Sequence, residues 1–137
     1  MAAATVHRVT AASLTALLLV CEYQGIAVRW DHLPGDMWGV YSHRDRTITL
    51  RAGMSQGQEV AALLHEMEHA RRGDDGHQPR AVERRIDETV SHQLITAEEY
   101  ARAEAVTGAR DSGAIAAEMG LPRWVVSAYR RTLRRAR

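Results

Sequence analysis

The sequence is poor in the features that mark disulfide-rich and membrane-spanning proteins. Its single cysteine, Cys21, excludes an internal disulfide framework, and a lone thiol is typical of a reducing compartment. None of its apolar runs approaches the ~18 residues that a membrane-spanning helix requires. Phenylalanine and lysine are absent, and all 18 basic residues are arginine, which indicates a bias of the coding sequence. We therefore expect a cytoplasmic protein that does not associate with membranes.

The remaining composition is typical of one globular domain. The 137 residues are 45% hydrophobic and 26% charged, with a net charge of +1. This length suffices for one domain with a sizeable core and leaves no room for two full ones. The apolar run at residues 16–21 is too short for a signal peptide, and no convincing cleavage site follows it. It instead predicts an amphipathic helix from about Thr10 to Tyr23 that packs on the domain and buries the thiol of Cys21.

The pentapeptide His65-Glu66-Met67-Glu68-His69 has the pattern HExxH and lies in a helical run from Gln56 to Arg72. Helical residues four apart point the same way, so the two imidazoles are presented side by side. At that spacing they fit two corners of a tetrahedral Zn²⁺ site, and Glu66 can reach a water on the metal as its general base. Chance would produce the pattern in about one chain in forty of this composition, so the context must support it.

The two faces of this helix indicate that it is buried on both sides. One face is an apolar stripe, whereas His65 and His69 lie on the opposite side with the small residues Ala61 and Ala62. The stripe consists of Val60, Leu63, Leu64 and Met67. Histidines at a solvated surface would more naturally lie among charged residues. The alternative is that the two histidines are solvated and bind nothing.

A second helix, predicted from about Arg80 to Ile95, supplies a candidate third ligand. It follows the turn signal of residues 73–76 and the helix-starting Pro79. Glu83 and Asp87 fall on its apolar face, where a carboxylate is costly unless it is paired or binds a metal. That face also carries Val82, Ile86, Val90 and Leu94.

Glu83 as a zinc ligand, with Asp87 accepting a hydrogen bond from a ligand imidazole, would satisfy both carboxylates. Two alternatives stay open: Glu83 forms an ion pair with an arginine, or Asp87 is the actual ligand. Glu88 is a poorer candidate because it lies on the outer face within reach of Arg84. No oxyanion stabiliser can be assigned; Tyr41, Tyr100 and His92 are candidates.

The only strand-like segments precede the HExxH helix. Residues 25–30 predict one strand, and residues 39–41 and 47–50 flank a turn-rich segment, which predicts a hairpin. Ile48 and Leu50 alternate onto one face. Such a sheet can hold an extended substrate as an added strand, or it can simply cover the helices.

The C-terminal third has the layout of a helix-turn-helix. Ala116 precedes the turn glycine Gly120 by four residues, and apolar residues stand where two helices must pack. Six arginines lie between residues 123 and 137 without an acidic residue among them, and such a cluster can contact phosphates. The presumed recognition helix nevertheless offers Trp124, Ser127 and Ala128, a poor set for base-edge hydrogen bonds. A packed helical pair that closes the metal site or docks a partner is favoured over DNA binding.

The string LLHEMEHARRGD at residues 63–74, with ERRIDETV at 83–90 and then Leu94-Ile95, resembles the ImmA/IrrE family of metallopeptidases. In that family an HExxH helix is followed by a short loop and a helix with an E-x-x-A-[ND]-like signature. The resemblance covers roughly residues 25–96 well. It differs at Glu68 and Ile86, where the family usually has small residues. It implies a regulatory protease that cleaves a DNA-binding repressor, often of a phage, another mobile element or a stress response.

Together these observations predict an α+β fold: a mostly helical, zincin-like metallopeptidase with a small antiparallel sheet beside the HExxH helix. Residues 1–96 would form the metallopeptidase core, and residues 97–137 a C-terminal helical extension packed on it. Zn²⁺ would be held by His65, His69 and Glu83, with Glu66 as the catalytic base and Asp87 behind a ligand imidazole. The expected partner is a protein substrate, with a helix-turn-helix repressor as the candidate. The alternative is a non-catalytic regulator that uses the helix-turn-helix-like segment to bind DNA or a repressor.

Overall fold

The computed structural model describes residues 14–108 and 111–137, and these residues form an α+β fold, as predicted. Helix α1 covers residues 14–23, so the predicted helix start at Thr10 lies outside the described residues. The other elements are β1 Ala27–Asp31, β2 Gly39–Ser42, β3 Thr47–Arg51, α2 Gln56–Arg72, α3 Arg80–Leu94, α4 Ala97–Thr107, α5 Ser112–Met119 and α6 Arg123–Arg135. Within the described ranges, no helix combines the length and apolar character needed to cross a membrane.

The sheet has the strand order β1-β3-β2 and is mixed, so the prediction of an antiparallel sheet was wrong for one strand. The hairpin β2–β3 is antiparallel as predicted, whereas β1 pairs with β3 in parallel. The segment after β1 crosses the end of β3, and the Arg51 guanidinium anchors it by donating to the carbonyls of Gly35 and Met37. Because of this crossing, β3 lies between β1 and β2. The alternation of apolar and polar residues within a strand does not indicate which strands are neighbours.

Helix α2 is buried between two hydrophobic clusters, and of the two alanines predicted on its second face, Ala62 lies instead in the cluster on the sheet side. Ile48, Leu50 and Leu63 are fully buried in the cluster between the sheet, α1 and α2, and Cys21 is buried there as predicted. Ala61 belongs instead to the cluster formed with α4, α5 and α6. Helix α2 thus contributes residues to both clusters. The domain boundary at residue 96 stays a prediction.

The start of α2 is fixed by a capping box and by a close contact with the C-terminal helices. The Ser55 side chain accepts from the backbone N–H of Gln58, whose side chain accepts in return from Ser55 N–H. A Cβ at Gly57 would lie 1.9 Å from the carbonyl oxygen of Gly120. Glycine at this position therefore lets α2 pack against the turn between α5 and α6.

Helices α3 and α6 are joined by an ion pair around Glu88. Arg135 donates two hydrogen bonds to its carboxylate at 2.8 and 2.9 Å, and Arg131 Nε lies 3.7 Å away. The hydrogen bond from Arg135 holds the pKa of Glu88 below its ordinary value. Glu88 thus faces α6 and takes its partners from there rather than from Arg84.

We expect Gly57→Ala to lower the free energy of unfolding by about 2 kcal/mol, because the new methyl group meets a backbone carbonyl that cannot rotate away. Urea denaturation measures the change. Gly113→Ala is the control, since a Cβ there meets only the side-chain oxygens of Asp111, at 3.3 Å. Equal stability of the two variants would contradict this contact.

We expect Glu88→Gln to cost about 1–2 kcal/mol at pH 7, because Arg135 loses a charged hydrogen-bond acceptor and Arg131 loses its ion-pair partner. Since the folded-state pKa of Glu88 is lowered, its stabilisation is present above the unfolded value near 4.5 and disappears as the pH falls through the folded pKa. Urea titrations of both proteins should therefore converge at acidic pH. The exposed Glu104→Gln provides the control, and a difference that persists at acidic pH would contradict this account.

Candidate metal centre

Helix α2 places His65 and His69 one turn apart, and α3 brings Glu83 against both. The Nε2 atoms of His65 and His69 lie 3.0 and 3.1 Å from the same carboxylate oxygen, Oε1 of Glu83. The ligand atoms of the three residues lie within 4.8 Å of one another, so the group could hold a metal ion. The HExxH helix and the helix predicted to carry the third ligand thus meet at Glu83.

The Nδ1 atom of each histidine contacts a carboxylate on the side away from Glu83. Nδ1 of His65 lies 2.9 Å from Oδ1 of Asp87, and Nδ1 of His69 lies 3.0 Å from Oδ2 of Asp74. A carboxylate at Nδ1 fixes the ring orientation and leaves Nε2 to face the opposite side. Asp87 thus has the position predicted for it, and the alternative of Asp87 as the ligand does not fit, because it meets the other nitrogen.

The second oxygen of Glu83 is also fixed. Its Oε2 accepts a hydrogen bond of 2.8 Å from the backbone N–H of Gln78. Burial alone would raise the pKa of Glu83, but this bond and the charges of His69 and His65 lower it. The alternative ion pair with an arginine is not found: within the described residues, no arginine contacts Glu83.

The charge balance of the site favours a cation between these side chains. Burial by itself would lower the pKa of His65, but the hydrogen bond to Asp87 and the charges of Glu66, Asp87 and Glu83 raise it to about 9. The negative charge of the surrounding carboxylates therefore favours the protonated form of the His65 imidazole, although this side chain is only 16% exposed. A metal cation would satisfy the same carboxylates.

Glu66 is the most enclosed of the carboxylates around the histidines. Its side chain is 8% exposed, and its Oε2 lies 4.0 Å from Nε2 of His65. Burial raises the pKa of Glu66, and the two neighbouring histidines oppose that shift. A Cβ at Gly39 would lie 3.1 Å from its Cγ, so the start of β2 packs directly on this side chain.

A cavity of about 230 Å³ opens beside these residues and contains Glu66 and His65 in its wall. The loop before β2 forms one side, and Trp124 of α6 forms another, with its ring centroid 5.9 Å from that of His65. The lining residues are Asp36, Met37, Trp38, Gly39, Ala62, His65, Glu66, His77, Asp87 and Trp124. A ligand in this cavity would lie against Glu66 and His65.

The donor set and its spacing could hold a metal ion. Two imidazoles and one carboxylate are a common ligand set of catalytic zinc sites, which keep the fourth position open. Tetrahedral bonds of about 2.0–2.1 Å place ligand atoms roughly 3.3 Å apart. The separations of 3.0 and 3.1 Å between the Nε2 atoms and Glu83 Oε1 therefore need only a small expansion.

Three residues around this centre were not predicted from the sequence to belong to it: Asp74, His77 and Trp124. Asp74 was interpreted only as part of a turn. Gly73 adopts φ 76° after the last turn of α2 and reverses the chain, so that Asp74 reaches His69 and also accepts a hydrogen bond from Arg72. An acidic residue directly after a C-cap glycine, five positions beyond a ligand histidine, is the signal that could have identified it. Trp124 lies too far along the chain for any local pattern to do so.

The three candidate oxyanion stabilisers lie away from this cavity. Tyr41 contacts His43, Tyr100 accepts a hydrogen bond from Arg130, and His92 contacts Thr132. Glu68, which differs from the family pattern, is bound by Arg71 along the helix surface and does not enter the site. The other position that differs, Ile86, is buried in α3.

Comparison of the chain with protein-family models, with curated proteins and with solved structures found no match.

Proposed function

We propose that the protein is a zinc-dependent endopeptidase. The observation that carries the proposal is the convergence of His65, His69 and Glu83 beside the buried carboxylate of Glu66. Both histidines are oriented by carboxylates, and the cavity gives access to the same place. Structural zinc sites are closed by four protein ligands, whereas three ligands next to a cavity and a base are typical of catalytic zinc.

A zinc ion bound there would polarise a peptide carbonyl and lower the pKa of a water molecule at the open position. His65, His69 and Glu83 would hold it, and Asp87 and Asp74 would keep the two imidazoles in the orientation needed for binding. Glu83 is kept in its own orientation by the N–H of Gln78.

Glu66 acts as the general base and then as the general acid. Its carboxylate takes a proton from the attacking water as the water oxygen bonds to the carbonyl carbon. It then delivers that proton to the nitrogen of the leaving amine as the C–N bond breaks. A buried carboxyl with a raised pKa suits both steps, since burial makes the carboxylate a stronger base toward the attacking water.

His77 is the best-placed donor for the developing oxyanion. It lines the same cavity as Glu66, and its charge influences the pKa of Glu66. Its side chain comes from the loop between α2 and α3. Its imidazole N–H would stabilise negative charge on the carbonyl oxygen during attack.

The substrate would bind as an extended segment along β2. This strand lies at an edge of the described sheet, and its first residue, Gly39, is part of the cavity wall. Pairing to a sheet edge through main-chain hydrogen bonds presents a peptide bond at a fixed position with little dependence on sequence. The resemblance to the ImmA/IrrE family supports a DNA-binding repressor as the physiological substrate.

The alternative of DNA binding through the helix-turn-helix-like segment is less favoured. Trp124 points at His65, and Val125, Ala128 and Tyr129 are buried within the fold. These positions belong to the presumed recognition helix, which would need a free face to enter the major groove.

We expect one zinc ion per chain in protein purified without chelators, and markedly less in Glu83→Ala. Asp87→Asn should retain the three ligands but weaken binding by roughly 10–100-fold, because it alters the orientation and basicity of His65. Elemental analysis and competition with a zinc-binding dye measure both effects. His92→Ala, whose imidazole contacts Thr132 instead, is the control. Equal zinc occupancy in the wild type and in Glu83→Ala would contradict the assignment of Glu83 as a ligand.

We expect Glu66→Gln to lower peptide hydrolysis by roughly 10²–10⁴-fold while zinc content and stability are kept, because only the proton transfer is lost. Cleavage is followed by mass spectrometry of new peptide ends in a repressor co-expressed with the protein and in a peptide library. Glu68→Gln is a control within the same pentapeptide, since Glu68 pairs with the exposed Arg71 and does not line the cavity. Unchanged cleavage by Glu66→Gln would refute the mechanism.

A further inference from the structure

A second cavity, of about 830 Å³, lies between α3 and α6 on a different face of α3 from the metal centre. Its wall contains five arginines and one carboxylate: Arg80, Arg84, Arg85, Arg131, Arg135 and Glu88. Apart from Ala81, these are all the residues that line it, and none of them lines the cavity beside Glu66. The volume lies within the range of roughly 300–1,000 Å³ that is usual for small-ligand sites.

The charges in this wall are not balanced by the protein. Glu88 is the only acid among the lining residues, and Arg135 and Arg131 already engage it. Within residues 14–108 and 111–137, neither an ion pair nor a hydrogen bond is found for the guanidinium groups of Arg80, Arg84 and Arg85. Five guanidinium groups against one carboxylate leave four uncompensated positive charges around one cavity.

Arg131, one of these five arginines, has donor atoms that no acceptor within the described residues satisfies. Its Nε and Nη2 atoms are buried and have no hydrogen-bond partner, with Glu88 Oε2 3.7 Å from Nε. Buried charged donors without acceptors are costly. The side chain as a whole stays 24% exposed and lines the cavity, so an anion entering there could contact the exposed part of this guanidinium group.

We propose that this cavity binds a small multivalent phosphate anion of the polyphosphate type. Guanidinium groups bind phosphate oxygens through paired N–H donors in a geometry that ammonium groups cannot match. Arg80 and Arg84 are four residues apart on α3, as are Arg131 and Arg135 on α6, so each helix offers a pair of guanidinium groups to the cavity. One orthophosphate cannot engage five guanidinium groups, whereas a chain of linked phosphates can.

A nucleic-acid backbone presents the same phosphate chemistry, but the site suits a small ligand better. The positive charge lines a cavity between two helices rather than an extended ridge along the surface. The chain as a whole carries a net charge of only +1, which gives weak long-range attraction for a long polyanion.

The test is isothermal titration calorimetry of the full chain with tripolyphosphate at low salt. Arg84→Gln should weaken binding by roughly tenfold or more, because it removes an exposed guanidinium group without disturbing any internal contact. Arg134→Gln on α6, outside the cavity, is the matched control and should bind like the wild type. Citrate, a tricarboxylate anion, should bind clearly more weakly than tripolyphosphate, because carboxylates carry less charge and fewer acceptor oxygens.

Glu83→Ala is included to separate this site from the metal centre, and it should bind tripolyphosphate like the wild type. Loss of binding in that variant would mean that the anion binds at a metal ion, and it would overturn the proposal. Absence of binding, equal effects of Arg84→Gln and Arg134→Gln, or equal affinity for citrate would also overturn it. Tighter binding of an oligonucleotide that depends on Arg84 would assign the cavity to nucleic acid instead.

Discussion

The structure depends on the meeting of two imidazoles with one carboxylate oxygen of Glu83 across the α2–α3 interface. This contact requires two helices to approach with polar groups between them, and every group involved has a further partner. Asp87 and Asp74 hold the outer nitrogens of the rings, and the backbone of Gln78 holds the second oxygen of Glu83. Partly buried charges are tolerated where such partners compensate for lost hydration.

The packing around α2 explains how this polar centre can be held in a small fold. One cluster fixes α2 to the sheet and another fixes it to the C-terminal helices, so the histidines cannot turn to solvent. The close approach of Gly57 to Gly120 brings α6 near enough for Trp124 to contact His65. The C-terminal helices therefore complete the wall of the cavity.

Helix α3 serves both sites of the molecule. One face carries Glu83 and Asp87 toward the histidines, and a neighbouring face carries Arg80, Arg84 and Glu88 toward α6. The first face is rich in negative charge and suited to a cation. The second is rich in positive charge and suited to an anion. The separation follows from helical periodicity: Glu83 and Asp87 are four residues apart, as are Arg84 and Glu88, and the two pairs are offset by one residue, which is about 100° around the helix axis.

The sequence by itself determined the helices α2 and α3, the hairpin β2–β3, and the faces on which His65, His69, Glu83 and Asp87 lie. These features follow from spacing along the chain, since helix and strand periodicity relate only neighbouring residues. The tertiary structure alone decided the parallel pairing of β1 with β3, the contact of Asp74 with His69, and the approach of Trp124 and of the arginines of α6 to α3. Each of these depends on where a loop or a distant helix comes to rest, which is set by how the whole core packs and not by any local pattern.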